Sequence, residues 1–516
     1  MAGTAVDTDV IVVGAGPTGL MLAGELRLGG ARVIVVERLA EPTGQSRGLG
    51  FTVRAMEVFD QRGLLPRFGQ GETLAVSPMG HFGGVQFDYT ALEDAHFGAR
   101  GIPQNETEAV LEEWVRQLGA DIRRGWDVVG LSEGFLDGDH VEVTVEAPEG
   151  TERLRAAYLV GCDGGQSGIR KAAGFDFPGL LASRAMFLAD VVGCGLKPRF
   201  LGERLPNGMV MAAPLKEGVD RIIVCPHGTP ARERDDDITF AEVAAAWQHI
   251  TGEDISGGSA EWVSSFSDAT RQVGEYRRGR VLLAGDAAHI HLPAGGQGLS
   301  AGVQDAANLG WKLAATVRGT APAGLLDTYH GERHPVGQRL TMNTRAQGTV
   351  FLGGEQSDPL RALFAELIEH DAVKKHLAGI VSHLDIRYDV DVAGASEGAG
   401  QDAAPTHHPL LGRRLAKRPL TGADGETDTF RLLHPARGVL LDLADDVEVR
   451  DTAARWDGRV DVVTVAAKPV EGVTDVVAGL DAVLVRPDGH VVWTGEGSPH
   501  GLAGALDRWF GDGRAA

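Results

Sequence analysis

Residues 9–38 read DVIVVGAGPTGLMLAGELRLGGARVIVVER, and this stretch decides the fold. Asp9 to Val13 is a short β-branched strand, Pro17 to Leu28 has helical spacing closed by Gly29 and Gly30, and Arg32 to Val36 is a second strand. Each glycine of the turn has its own reason. Gly14 allows the tight bend, Gly16 lets the backbone approach a pyrophosphate, and Gly19 lets the helix pack closely on the strand. The helix N-terminus faces the phosphates with unpaired N–H groups and a positive partial charge. Glu37 closes the second strand 18 residues past Gly19, where a carboxylate accepts hydrogen bonds from a ribose. The unit binds a dinucleotide, and alone it leaves NAD(P) and FAD both open.

A second stretch, residues 280–313, separates the two: RVLLAGDAAHIHLPAGGQGLSAGVQDAANLGWKL. Arg280 to Ala284 reads as a strand and Asp286 lies just past its end. From Gly298 onward, Leu299, Val303, Ala306, Leu309, Leu313 and Val317 recur at helical spacing. A carboxylate and a second helix N-terminus are thus presented together. A nicotinamide dinucleotide needs one glycine-rich helix end, whereas FAD adds a ribityl chain for Asp286 and a ring whose N1 and O2 gather negative charge on reduction. Bulk at Gly295, Gly296 or Gly298 is expected to disturb that ring. A third element, AAYLVGCDGGQSGIRKAAG at 156–174, gives a strand, Asp163-Gly164 at its end, Ser167 as an N-cap and Gly174 closing a short helix.

The chain has 516 residues and a formal charge of -22, enough length for two or three domains and the wrong charge for nucleic acid. Cys162, Cys194 and Cys225 form neither a zinc pattern nor a redox pair. No apolar run reaches the roughly 20 residues of a membrane span, and the start lacks a basic, then apolar, leader. A cytoplasmic enzyme without a membrane, nucleic-acid or metal partner is the expectation. His289 and His291 lack a third ligand nearby and read as structural hydrogen-bonding groups.

The three motifs together, Gly14 to Gly19, Cys162-Asp163-Gly164 and Gly285-Asp286-Ala287-Ala288-His289, resemble the single-component flavin aromatic hydroxylases, relatives of p-hydroxybenzoate hydroxylase. The resemblance covers about residues 9 to 395. The segments Gln45 to Arg54, MEVFDQRG at 56–63 and HLPAGGQG at 291–298 are similar to bacterial hydroxylases that tailor aromatic polyketides of the angucycline type. It implies bound FAD, NADPH or NADH as cosubstrate, and O2 added to a polycyclic phenol through a flavin C4a-hydroperoxide. The site it implies comprises Gly14, Gly16, Gly19, Glu37, Arg38, Asp163, Gly164, Asp286 and Leu299 on the cofactor. Arg47 is implied near the FAD phosphates and the entering nicotinamide nucleotide, Gln104 in holding FAD, and Pro293, Gly295 and Gly298 at the ring, where the chemistry occurs. Gln166 stands where p-hydroxybenzoate hydroxylase has a histidine for nucleotide binding, which leaves NADPH against NADH open.

The expected fold class is α/β. A discontinuous Rossmann-like FAD-binding domain takes 1–175 and 272–390, a β-sheet substrate domain 176–271, a linker 391–409, and a cysteine-free C-terminal domain 410–516. Strands are expected at Met186 to Gly193, Met209 to Leu215, Arg221 to Pro226 and Glu261 to Phe266, with a helix at Phe240 to Ile250. GHFGGVQFDY at 80–89 is expected to wall a broad apolar cavity, while Met209 and Met211 read equally well as plain core. The tail resembles the thioredoxin-like domain of many flavin hydroxylases and is assigned to packing or association; a homodimer is one expected state. A flavin halogenase is disfavoured because no two tryptophans are spaced by two. A flavin dehydrogenase and a binding protein with FAD as a structural ligand stay open at this point. No substrate-activating base stands out.

Overall fold

The computed structural model describes residues 6–69, 76–77, 79–92, 98–232, 238–390, 408–468 and 477–513. Most of the expected linker lies outside the described residues. The chain is α/β and folds around three main sheets.

In the first sheet, Thr8–Val13 lies between Gly150–Gly161 and Val33–Glu37, both parallel to it. Val281–Leu283 runs parallel to Gly150–Gly161 on the far side. The registers align Val13 with Gly161 and Gly161 with Leu283. The three motif turns therefore leave neighbouring strands at one edge, the carboxyl-end crevice where open α/β sheets bind ligands. Helix α1, Pro17–Leu28, covers the sheet and packs on the long helix α2, Gln297–Val317. Gly310 of α2 permits this approach, because a Cβ there would collide with Glu25. Two further helices, α3 (Thr328–Leu352) and α4 (Asp371–Ser382), follow α2. No described helix is long and apolar enough to cross a membrane.

The second sheet is antiparallel, ordered Arg199–Leu205, Gly208–Lys216, Val219–Pro226, Ala185–Val192 and Ser259–Ser267. Helix Phe240–Thr251 starts on a Thr239/Glu242 capping box and buries Trp247 against one face. The strand Arg199–Leu205 was not expected; its sequence, RFLGERL, lacks regular alternation, and it lies at the sheet edge with a register shift. Buried Arg221 bridges Asp190 at 2.6 and 2.7 Å and donates to the Ser46 carbonyl, which ties this sheet to the 43–50 loop.

The third sheet runs Gly425–Asp428, Pro419–Gly422, Val460–Ala467, Gly438–Asp442, Ala482–Val485 and Val491–Gly495, with helix Leu502–Phe510 alongside. It is an integral part of the core. The turn joining its last two strands packs against α2 and α3, where fully buried Arg486 reaches Glu332 at 2.6 and 2.8 Å and also pairs with Asp488. Lys312 and Asn308 of α2 donate to the same Glu332 at 2.8 and 2.6 Å. Arg62 clamps Glu25 of α1 at 2.7 and 2.9 Å and donates to the Leu433 and Pro487 carbonyls.

Burial pushes Lys312 down to about 8 and His490 down to about 4, while Arg486 and Lys312 hold Glu332 near 2. Arg486→Met would take the guanidinium from two buried carboxylates, Glu332 and Asp488, and chemical denaturation should show a loss of about 3 to 5 kcal/mol. The unfolded chain protonates His490 near its ordinary value of about 6.5, while the folded chain refuses the proton until about pH 4. Stability should therefore fall as pH drops through that window, by about 1.4 kcal/mol per pH unit for this group. A His490→Asn variant should show a shallower slope of melting temperature against pH there.

Candidate functional site

A cavity of about 750 Å³ opens along the edge where the three motif turns meet. Gly16, Arg38, Arg47, Gln104, Asp163, Gly164, Asp286, Pro293, Gly298 and Leu299 line it, so residues as far apart in sequence as Gly16 and Leu299 share one cleft. Gln166 and His291 line it too.

The remaining expected residues, Gly14, Gly19, Glu37 and Gly295, are not among those that line it. Gly14 has φ +106°, and a Cβ there would lie 2.5 Å from the Cys162 carbonyl oxygen, so this glycine lets the first and second turns touch. A Cβ on Gly19 would strike the Gly14 carbonyl. Glu37 is held by the N–H groups of Ala15 at 2.8 Å and Leu39 at 3.0 Å, which fixes a carboxylate where the second strand ends. Gly295 sits in the turn just before α2. It does not line the cleft, and its Cβ direction points to Gln297 Nε2 at 3.1 Å and Gln347 Oε1 at 3.6 Å, because two successive left-handed glycines, φ +72° and +65°, turn the chain there.

The cleft is built to admit a large polar ligand. At Gly16, Gly164 and Gly296 no protein atom beyond the glycine and its neighbours along the chain lies within 4 Å of where a Cβ would stand. Asp286 projects from between buried Gly285 and Ala287 and makes no hydrogen bond or ion pair among the described residues. Arg38 is exposed at the rim. Gln104 is fixed from three sides: Ser46 Oγ accepts its backbone N–H at 2.7 Å, its Oε1 accepts from Gly48 N–H at 3.3 Å, and its Nε2 donates to Glu108 at 2.8 Å. Burial pushes the Glu108 and Asp163 carboxyls up. Asp163 still accepts from Ser167 Oγ at 2.5 Å and Ile169 N–H at 3.1 Å, which fastens the second turn to its helix.

Asp305 and Arg333 were not singled out in the sequence. Asp305, buried on α2, accepts from Gly285 N–H at 3.1 Å, His289 Nε2 at 2.9 Å and Arg333 Nε at 2.7 Å. It thereby locks the Gly285–His289 turn to two helices. Arg333 opposes burial and leaves the Asp305 carboxyl below its usual range. A charged residue inside the apolar stripe of a long helix was the available signal. His291 Nδ1 lies 2.8 Å from the Leu292 carbonyl, and burial pushes its pKa down, so the ring facing the cleft is neutral at neutral pH.

Beside Pro293 lies an apolar cluster joining the loop to the second sheet. Met186, Met209, Cys225, Leu292, Phe351 and Leu352 are buried in it, and Met211, Ile223, Phe266 and Ala294 are half-buried at its margin. Met209 is thus core, whereas Met211 keeps an open surface. The expected wall is a hairpin, Met79–Phe82 and Val85–Asp88, turned at Gly83-Gly84. A Cβ on Gly84 would lie 2.7 Å from Phe351, so the hairpin rests directly on this cluster.

A Rossmann-like edge with three turns, two helix ends and a free carboxylate defines a flavin-nucleotide protein. Residues 7–344 match the FAD binding domain family and residues 408–513 match the C-terminal region of aromatic-ring hydroxylases. The chain belongs to the FAD-dependent aromatic-ring hydroxylases; it is a flavin-dependent monooxygenase with FAD as its cofactor. It is 43% identical to the 12-dehydrotetracycline 5-monooxygenase/anhydrotetracycline 6-monooxygenase of Streptomyces rimosus, over 98% of this chain and 99% of that one. It is also 43% identical to a rifampicin monooxygenase of Streptomyces venezuelae, over 98% of both chains. Among solved structures it resembles CabE, an aromatic hydroxylase from angucycline biosynthesis, with 59% identity, a TM-score of 0.91 and coverage of 98% of this chain and 99% of that one.

Glu37→Ala removes a charged acceptor at the end of the second strand. The FAD dissociation constant, measured by flavin fluorescence, should rise by the equivalent of about 1.5 to 3 kcal/mol.

Proposed function

We propose that this enzyme hydroxylates a polycyclic aromatic polyketide of the angucycline type, with NADPH or NADH as reductant and O2 as oxidant. The observation that carries the reading is the apolar margin of Met211, Ile223, Phe266 and Ala294 next to Pro293, a surface for a flat ring system rather than a small charged acid. Its likeness to an aromatic hydroxylase from angucycline biosynthesis supports the substrate class. A net charge of -22 and the lack of a membrane-crossing helix among the described residues support a cytoplasmic place without a nucleic-acid or membrane partner.

The roles follow from position. The α1 N-terminus and the Gly14–Gly19 turn take the pyrophosphate, with Arg38 and Arg47 adding positive charge. Glu37 accepts from the adenosine ribose and Asp286 from the ribityl hydroxyls. Gln104, Asp163 and Gly164 complete the cofactor wall. Pro293, Gly298 and Leu299 face the ring, and the α2 N-terminus opposes the negative charge that gathers there. FAD, when bound, supplies the redox chemistry, accepting hydride from the nicotinamide nucleotide and activating oxygen for transfer to the phenol. The chain's task is to hold the ring pair in register and exclude water, which the hairpin and Phe351 cluster do on the substrate side. No protein nucleophile is required. We divide the chain at 175 and 271 on the same ground, since the segment between them supplies the sheet over the cluster.

The test is incubation of the FAD-loaded enzyme with NADPH and isotopically heavy oxygen against a panel of polycyclic phenols, read by mass spectrometry. One heavy oxygen in the product is expected; a product oxidised without it would mark a dehydrogenase. In Gly298→Val, a Cβ already 3.4 Å from His291 Nε2 gains two methyl groups at the helix start. FAD should remain bound, stabilisation of the reduced ring should fall by about 1 to 2 kcal/mol, and more hydrogen peroxide should be released per NADPH consumed.

A further inference from the structure

A chain of buried amides runs from the substrate-side hairpin to the loop at the ring. Gly83 N–H donates to Gln347 Oε1 at 3.3 Å, Gln347 Nε2 to Asn343 Oδ1 at 3.3 Å, Asn343 Nδ2 to Gln297 Oε1 at 3.0 Å, and Gln297 Nε2 to the Ala294 carbonyl at 3.1 Å. The side chains of Gln297, Asn343 and Gln347 are at most 2% exposed. The polarity is forced from both ends. A backbone N–H can only donate and a backbone carbonyl can only accept, so every amide between them has one orientation.

His383 joins the chain from the side, at the left-handed C-cap just past α4. Its Nε2 lies 3.3 Å from Gln297 Oε1, and its Nδ1 lies 2.8 Å from Gln304 Nε2, an amide nitrogen that can only donate. The ring is therefore neutral with its proton on Nε2, in keeping with the burial that pushes it down to about 3. This second donor pins the Gln297 oxygen.

The loop needs such a hold. It lies between the 750 Å³ cleft and a separate cavity of about 310 Å³ behind it, which Gln297, Asn343 and His383 help to line. Its turn uses two left-handed glycines, so packing on either side is thin and the backbone is free to choose other conformations.

We propose that Gln347, Asn343, Gln297 and His383 are positioning residues that fasten the Ala294 carbonyl away from the cleft and so keep the N–H groups at the start of α2 directed at the flavin ring. Because the chain starts on the hairpin that rests on Phe351, the same bonds join the substrate wall to the ring-facing loop. The inference rests on FAD occupying the cleft as proposed above, and it acts through the loop without touching the cofactor.

The experiment measures the ratio of reduced to oxidised flavin in the FAD-loaded protein, poised against a redox dye of fixed potential without oxygen or aromatic substrate. It compares the parent with Gln347→Met, which fills the same space without bonding, and Asn343→Leu. FAD bound per chain should match the parent, while the ratio should fall about fivefold, the factor carried by one ordinary net hydrogen bond. Asn343→Ser is the third arm: it stays polar, suits a variant series in which the apolar changes prevent folding, and is too short to bridge Gln347 and Gln297. Folded, FAD-loaded variants whose ratio stays at the parent value would overturn the proposal. Since no oxygen transfer is measured, failure of hydroxylation in the parent is a separate result and bears only on the reading it rests on.

Discussion

One buried carboxylate organises the flavin side of this enzyme. Asp305 sits in the middle of the apolar face of α2 and gathers donors from the Gly285 backbone, His289 and Arg333. Taking a carboxylate out of water is costly, and only a full set of donors offsets it. Here two donors come from the Gly285–His289 turn and one from α3, so satisfying the charge also fixes that turn against α2 and α3. Asp286, between these anchored neighbours, has nowhere to project but the cleft. Arg333 extends the same lock by donating to the Tyr388 hydroxyl at 3.1 Å and the Ala301 carbonyl at 3.3 Å.

The rest of α2 continues the pattern. Ser300, Gln304, Asn308 and Lys312 recur every four residues and form a polar row along a buried helix. Ser300 accepts from Thr52 N–H, Gln304 donates to His383, and Asn308 and Lys312 meet Glu332. Through Glu332 and Arg486 the row reaches the C-terminal sheet. The helix that ends at the ring is thus held along its length by charges that include the tail. The tail contributes packing, partly apolar, with Trp311 and Leu325 set among its Trp456, Trp509 and Phe510, and partly through buried ion pairs whose loss would leave Lys312 and Glu332 short of partners.

What was legible in the sequence was what the backbone enforces locally. Gly14 and Gly19 mark a bend and a contact that only glycine allows, and the strands beside them are β-branched. The middle sheet was legible for the same reason except at Arg199–Leu205. Long-range partners leave no such mark: nothing near Asp305 announces Arg333, and nothing in Pro487-Asp488-Gly489 shows that this turn enters another part of the molecule. Gly295 illustrates a finer limit. Its residue type marks a turn but does not show that the left-handed pair with Gly296 sets it against Gln297 and Gln347.

Placement of the flavin in this cleft is tested most directly by the electron density of the FAD-loaded enzyme. The pyrophosphate should rest on the Gly14–Gly19 turn, the adenosine ribose should reach Glu37, the ribityl chain should meet Asp286, and the N1–O2 edge of the ring should face the backbone of Gly298 and Leu299. Density for the ring away from Pro293 and the start of α2, or for FAD outside this cleft altogether, would contradict it.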